Sequence, residues 1–591
     1  MLQHSGLRFL LPYMRPYQRH LLLGTLYALI GAAASAFGPA VLGLAIDDLL
    51  RGVRFETLAL YALGLIGLAA VLAIFRFLLR MLTGEIAAGV SYRMGKDLFD
   101  RVLLFDQKTI QEYGTGELLS RAANDFIYIW RFYSAGFQMS MHAILLLTIG
   151  CALMAITSPL LAIVVVVMLV ISLGVQIKLG PVLEQSFDKV QQSIAHMSSF
   201  AQEHLSAARM LSAYGQEREV VAAFTRSNEE YAQRNLDFVL RSSAIAPLPA
   251  LVVQLAAALV VGVGAAMIVA QQLTIGQYVQ FIVYLNLLSG AAQSLSQAFE
   301  RLQQGSAAAG RIGAVLRRRP QIADAPDAHT PTLAGELRFE GVGVRASGDQ
   351  RWALRDIDLV VPAGSSLGIV GATGSGKSTL LSLIGRLRDP DVGRVLLDGY
   401  DLRQLKLDAL RNAVAIVPQE TLLFTMKLRD NIALGRPDMA DTTVETAAHA
   451  ARLTNDLPML PHGLATMVGE RGTTLSGGQK QRTAIARALA RSPQVLVLDD
   501  SLANVDPHTA AEILAELRAA RQRTTSLIVS QRIESVRDAD QIIVIDQGRI
   551  AERGTHAELM ALNGLYAAMY HREVEQAAAT LSDGPDGSRA N

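Results

Sequence analysis

At 591 residues the chain is long enough for several domains, and 51% hydrophobic against 18% charged residues is too apolar for an ordinary soluble array. A net charge of +1 gives no reason to expect nucleic acid as a partner. The single cysteine, Cys151, excludes an intrachain disulfide framework and a cysteine metal cluster; inside an apolar run it reads as a small buried hydrophobe.

In chain order, Gly6 to Tyr17 reads as a short amphipathic segment carrying Arg8 and Arg15. The apolar run Leu21 to Ile46 is too long for a secretory signal and has no small-residue cleavage pattern after it, so a retained membrane helix is expected. Further spans are expected at Leu58 to Leu79, Met139 to Ile156, Leu160 to Ile177, Leu248 to Ala270 and Ile275 to Gly290. Each approaches the ~20 residues that cross a bilayer, which makes a six-span helical domain that contacts membrane lipid. The long connections from Arg80 to Arg131 and from Lys178 to Arg241 are rich in Lys and Arg, whereas Thr157 to Pro159 and Gln271 to Thr274 carry none. By the positive-inside rule the long connections and both termini face the cytoplasm. These connections should continue the spans as long helical hairpins, interrupted near Tyr113-Gly114-Thr115-Gly116 and Tyr214-Gly215-Gln216. Within the spans, Gln176, Gln254, Gln280 and Asn286 either bridge helices or line a cavity, and Arg76 is costly if it lies at membrane depth.

From Arg317 to Gly335 the chain turns polar and is broken by Pro320, Pro326 and Pro331, a domain boundary. Strand-like runs at Leu337 to Phe339, Leu354 to Val360, Leu367 to Val370, Val395 to Leu397, Ala413 to Val417, Val495 to Leu498, Ser526 to Val529 and Ile542 to Ile545 then alternate with helical ones. That alternation predicts an α/β domain on a mainly parallel sheet. After His571 the apolar pattern fades, and a disordered end is expected.

The chemistry centres on Gly371-Ala372-Thr373-Gly374-Ser375-Gly376-Lys377-Ser378-Thr379, a glycine-rich turn between a strand pattern and a helical run. Backbone N–H groups and a helix N-terminus make a cradle for phosphate oxygens there; Lys377 reaches the outer phosphates of ATP and Ser378 ligates Mg²⁺. Asp499, closing the run Val495 to Leu498, is placed to hold the Mg²⁺ shell, and Gln419 to reach the metal or the attacking water. Leu475-Ser476-Gly477-Gly478-Gln479 precedes a second helix and forms another phosphate site. One loop and one such site per chain point to a dimer in which each site covers the other subunit's nucleotide.

With these pieces assembled, the chain resembles an exporter-type half-transporter of the ATP-binding cassette superfamily over nearly its whole length. The specific part is Val468 to Arg482 around Leu475 to Gln479; Thr115-Gly116-Glu117-Leu118-Leu119-Ser120-Arg121 with Asn124-Asp125 resembles the first cytoplasmic loop of these exporters. The resemblance implies a membrane domain over 1–316, a linker over 317–335, a P-loop ATPase domain over 336–572 and a disordered tail over 573–591. It implies coupling helices near Tyr113 and Tyr214, and Glu470 in a loop contacting them. It also implies ATP-driven export of a small amphipathic substrate (drug, lipid or peptide) from a bacterial cell, with the protein in the inner membrane.

Three positions depart from the family pattern. Asp500 stands where the catalytic glutamate is usual, Gln531 replaces the switch histidine, and Ala346 occupies the place of the adenine-stacking aromatic, with Trp352 nearby as a stacking or a packing residue. Asp500 and Gln531 weaken the same step, so the resemblance implies the degenerate-site subunit of a heterodimer whose partner half-transporter supplies a catalytic glutamate. A homodimeric exporter or lipid flippase, an importer on the exporter scaffold and an ATP-gated regulatory protein are the alternatives.

Overall fold

The computed structural model describes residues 3–346, 351–519 and 524–582. These residues form two compact units, one comprising Met1–Leu103 and Thr115–Arg318, the other Leu104–Gly114 and the chain from Arg319 onward.

The first unit is entirely helical. Five segments are long and apolar enough to cross a membrane: Arg8–Leu50, Phe55–Leu103, Thr115–Thr157, Pro159–Ser206 and Glu217–Val269. The expected sixth, Ile275 to Gly290, lies in the continuous 43-residue helix Ile275–Arg317, which falls short in hydropathy because Gln277, Gln280 and Asn286 interrupt its apolar run. It is instead the helix the others pack around, with Phe281, Tyr284, Leu285 and Leu288 at the heart of the core and Cys151 partly buried against it. Asp47 accepts from Gly276 N at 2.7 Å and from Thr274 Oγ1 at 2.5 Å, so a carboxylate from the first long helix caps the sixth. Gln280 Nε2 donates to Thr157 Oγ1 at 3.4 Å, which makes it a bridge between helices, whereas Asn286 bonds its own helix at Ile282 O.

Both expected interruptions are present, each preceded by a seven-residue helix: Gln107–Tyr113 before Gly114 and Ala208–Tyr214 before Gly215. Beyond Gly114 the helix widens into a π turn over Arg121–Asp125, which presents Asp125 to Arg311 on the sixth helix. Asp125 is 6% exposed and Arg311 48%, with Arg311 Nε at 3.1 Å and Nη2 also on the carboxylate. Arg311→Ala leaves that buried carboxylate unpaired. The expected loss is about 1–3 kcal/mol, below the value for a fully buried pair because the arginine is half solvated. A lower thermal transition of the solubilised protein measures it.

The second unit carries ten strands: β1 (Leu337–Arg345), β2 (Trp352–Val361), β3 (Ser366–Val370), β4 (Val392–Leu397), β5 (Tyr400–Asp401), β6 (Val414–Val417), β7 (Val495–Asp499), β8 (Thr525–Val529), β9 (Gln541–Asp546) and β10 (Arg549–Gly554). Six of them form one sheet in the order β10-β9-β3-β8-β7-β6, parallel except for the β9–β10 hairpin. The other four form a separate antiparallel sheet, β2-β1-β4-β5, so the expected single, mainly parallel sheet is corrected to two. β5 and β10 were not expected: the first has two residues, and no residue of the second is fully buried. The linker is tied down, with His329 N donating to Gln404 O and Lys406 N to His329 O. The last helix, Leu565–Ser582, runs past the expected tail boundary at 572, with Tyr566 fully buried; 583–591 lie outside the described residues.

Leu104–Gly114 packs with this unit. Asp106 accepts from Thr109 N at 2.8 Å, Thr109 Oγ1 at 3.0 Å and the linker's Gln321 N at 3.1 Å. Burial opposes ionisation of Asp106, but these donors outweigh it and hold the carboxyl below its usual range.

Candidate functional site

β3, buried at all five residues, lies between β8 and β9 and delivers the chain into the glycine-rich turn at the carboxyl edge of the sheet. Glycine is required at two points. A side chain on Gly376, at φ +108°, would come 2.6 Å from Ala353 O, and one on Gly371 would collide with Ile545 O. The helix Lys377–Ile384 starts there. Lys377 Nζ folds over the turn, donating to Gly371 O at 2.8 Å and Ala372 O at 2.9 Å.

A cavity of about 250 Å³ opens beside the turn. From the predicted set it gathers Thr373, Gly374, Gly376, Lys377, Ser378, Thr379, Gln419, Asp499, Asp500 and Gln531. β6, β7 and β8 supply the last four from just past or at their carboxyl ends, which is why residues more than a hundred positions apart in sequence meet. Gln419 Nε2 stands 3.4 Å from Asp500 Oδ2. Asp500 adopts φ +47°, a left-handed conformation that aspartate tolerates better than most residues, and its N–H donates to Val529 O at 2.9 Å.

The electrostatics follow from crowding two carboxylates against one ammonium. Burial, with Asp500 adding to it, pushes the Asp499 carboxyl up against the opposing effects of the Ser378 hydroxyl and Lys377. Burial pulls Lys377 down while Asp499 and Asp500 pull the other way. The donor set fits Mg²⁺ with a nucleotide phosphate: a hydroxyl, a carboxylate and an amide oxygen are hard ligands, and the buried Ser375 Oγ inside the turn has no hydrogen-bond partner of its own. In that arrangement Ser378, Asp499 and Gln419 would hold the metal and its water shell. Such an ion would supply charge neutralisation at the phosphates, and Lys377 with the backbone of the turn would orient the nucleotide.

Leu475 to Gln479 lie elsewhere. Leu475 is in the core, and Ser476 caps the helix Gly477–Leu489, accepting from Gln479 N while Gln479 Oε1 accepts from Ser476 N at 3.0 Å. None of the five lines the cavity, so within one chain the two elements expected to meet phosphate are separate. Arg487, missed in the sequence, connects them. From the same helix it donates to Asn431 O at 2.8 Å and Leu422 O at 3.1 Å, and so holds the segment that follows Gln419. A lone arginine on a helix face carries no signal of such a role. The Trp352 ring covers Gly343, with Arg345 over it at 5.2 Å; Ala353, not Trp352, lines the cavity.

Residues 21–292 match the family described as the ABC transporter transmembrane region, and residues 354–503 match the family described as ABC transporter. The chain belongs to the ABC transporter family. It is 31% identical over 580 residues to the multidrug resistance-like ATP-binding protein MdlA of Escherichia coli (strain K12), covering 97% of each chain. It is also 31% identical to the ATP-dependent lipid A-core flippase of Chromohalobacter salexigens, over 96% of this chain and 98% of that one. A solved bacterial Atm1-family ABC exporter with ATP bound superposes with a TM-score of 0.81 at 25% identity, over 97% of this chain and 99% of that one. This ABC transporter is therefore an exporter by fold, membrane-embedded, with an ATPase domain whose hydrolysis is coupled to transport.

Proposed function

We propose that this ABC transporter is one half of an ATP-driven exporter of amphipathic substrates in a bacterial inner membrane, with both termini and the ATPase domain in the cytoplasm. In this reading it is the slow-hydrolysing subunit of a heterodimer. Its turn holds ATP, and its Leu475 to Gln479 complete a competent site on a partner that carries a catalytic glutamate. Two nucleotides clamped between the ATPase domains favour the outward-facing state, and hydrolysis at the competent site resets it.

The observation that carries this reading is that Asp500 and Gln531 line one cavity with Gln419 and Lys377. Both departures from the family pattern thus bear on the same nucleotide. Replacing the partner's catalytic glutamate by glutamine should abolish turnover, whereas Asp500→Asn should lower it less than about threefold. Equal losses would count against the asymmetry.

A symmetric pair of this chain is the second reading, since each copy brings one complete turn and one complete Leu475 to Gln479 element. Asp500→Asn alone would then stop hydrolysis. Flux into inside-out vesicles on adding ATP separates export from import and from gating without pumping.

A further inference from the structure

Gln531 lines the nucleotide cavity, yet its side chain is exposed, so packing does not fix its place. Its position is set by the backbone from Ser530 to Ile533. On one side that backbone is held by the sheet. Val529, the end of β8, accepts from Asp500 N at 2.9 Å, and Ser530 N donates to Ile369 O of β3 at 3.3 Å. Ser530 Oγ accepts from Arg532 N at 3.0 Å, a bond that turns the chain around Gln531.

On the other side the tie comes from far along the sequence. Ile533 N–H opens the short turn Ile533–Ser535, where the first N–H finds no acceptor within its own turn. It donates to Glu573 Oε2 at 2.7 Å, on the helix Leu565–Ser582, 40 positions on. A carboxylate is the stronger kind of acceptor for a backbone N–H. The helix that carries it is firmly seated. Tyr566, about two turns before Glu573 and on the same face, is fully buried, and its hydroxyl lies 2.8 Å from His556 Nδ1. Ile533 and Val536, each 1% exposed, belong to the same hydrophobic core as Tyr566. Between the tie at Ser530 and the tie at Ile533 stand Gln531 and Arg532 alone, so freeing Ile533 N loosens the peptides next to Gln531.

We propose that Glu573 is a positioning residue for Gln531. By holding Ile533 N it fixes where the Gln531 amide stands in the cavity, and through it the helix Leu565–Ser582 bears on hydrolysis at this pocket. The proposal rests on the reading that Gln531 acts on the nucleotide.

The test uses the assembled transporter in nanodiscs, with any catalytic glutamate supplied by a partner half replaced by glutamine. Radiolabelled ATP with Mg²⁺, at less than one equivalent, then reports single-turnover hydrolysis in this pocket. Gln531→Ala should lower the rate about tenfold and Glu573→Ala about five- to tenfold. Affinity for ATP should stay within about twofold of the parent, because Gly371 to Thr379 are untouched. Glu573→Gln keeps an acceptor oxygen on a stem of the same length and should hold the rate within about twofold. The double variant Gln531→Ala with Glu573→Ala should be no slower than Gln531→Ala alone, since a misplaced amide and a missing one fail alike.

Losses that multiply in the double variant would make Glu573 an independent support of the fold and overturn the proposal. A parental rate in Glu573→Ala beside a slow Gln531→Ala would also overturn it, and both results would keep the reading of Gln531. A rate in Glu573→Gln as low as that in Glu573→Ala would remove the acceptor bond as the cause. A parental rate in Gln531→Ala would sink that reading, and the proposal with it.

Discussion

Asp500→Glu combined with Gln531→His is expected to raise single-turnover ATP hydrolysis in this chain's own pocket by about 10²-fold. The aspartate is one methylene short, so its carboxylate stands roughly 1 to 1.5 Å back from where a water could be lined up with a phosphate, a displacement that can cost two orders of magnitude. Gln419 Nε2, 3.4 Å from its carboxylate, does not compensate, because an amide cannot take a proton. Gln531 lines the same cavity and can donate a hydrogen bond but cannot become a cation. The left-handed φ of +47° at position 500 makes the longer side chain cost roughly 1 kcal/mol, small beside the gain. The measurement requires a partner whose own glutamate has been replaced by glutamine, so that only this pocket can turn over. An unchanged rate would mean that neither residue limits the step.

Gly478→Asp should act in the opposite direction and at the other pocket, lowering steady-state hydrolysis by about 10²- to 10³-fold. Gly478 lies in the first turn of a thirteen-residue helix, where free N–H groups and the positive end of the dipole favour an anion. A β-carbon there comes 3.0 Å from Asn504 O, and a carboxylate would occupy the place of phosphate oxygens and repel them. Nucleotide bound to the chain's own turn should persist, because Gly371 to Thr379 are untouched. Retained turnover within about twofold would show that Leu475 to Gln479 complete no catalytic site.

The glycine-rich turn before a helix, the strand ending at Asp499 and the helix start capped by Ser476 were legible in the sequence because each depends on neighbours in the chain. β3, β7 and β8 were equally plain, since parallel strands covered on both faces read as unbroken apolar runs. The antiparallel sheet was not: β5 has two residues, and β1 is interrupted by register shifts that blur its alternation. The sixth helix was located correctly, but its central place in the bundle follows from Gly276 and Tyr284 meeting the first helix, which no local pattern records. Arg76 drew notice by itself. Its company of Arg301 and His142 around one cavity exists only after folding, because these residues come from two other helices.

Leu104–Gly114 groups with the second unit although it lies inside residues 21–292, the stretch that matches the transmembrane-region family. Phe105 is 7% exposed and Asp106 holds Gln321 N from the far side of more than two hundred residues. A cassette cut out at Arg319 would therefore lose the Asp106 clasp on Gln321 N. Grafting cassettes between paralogues should succeed only when this eleven-residue fragment travels with its receiving surface. Lineages exchanging such parts by recombination would have to inherit both together.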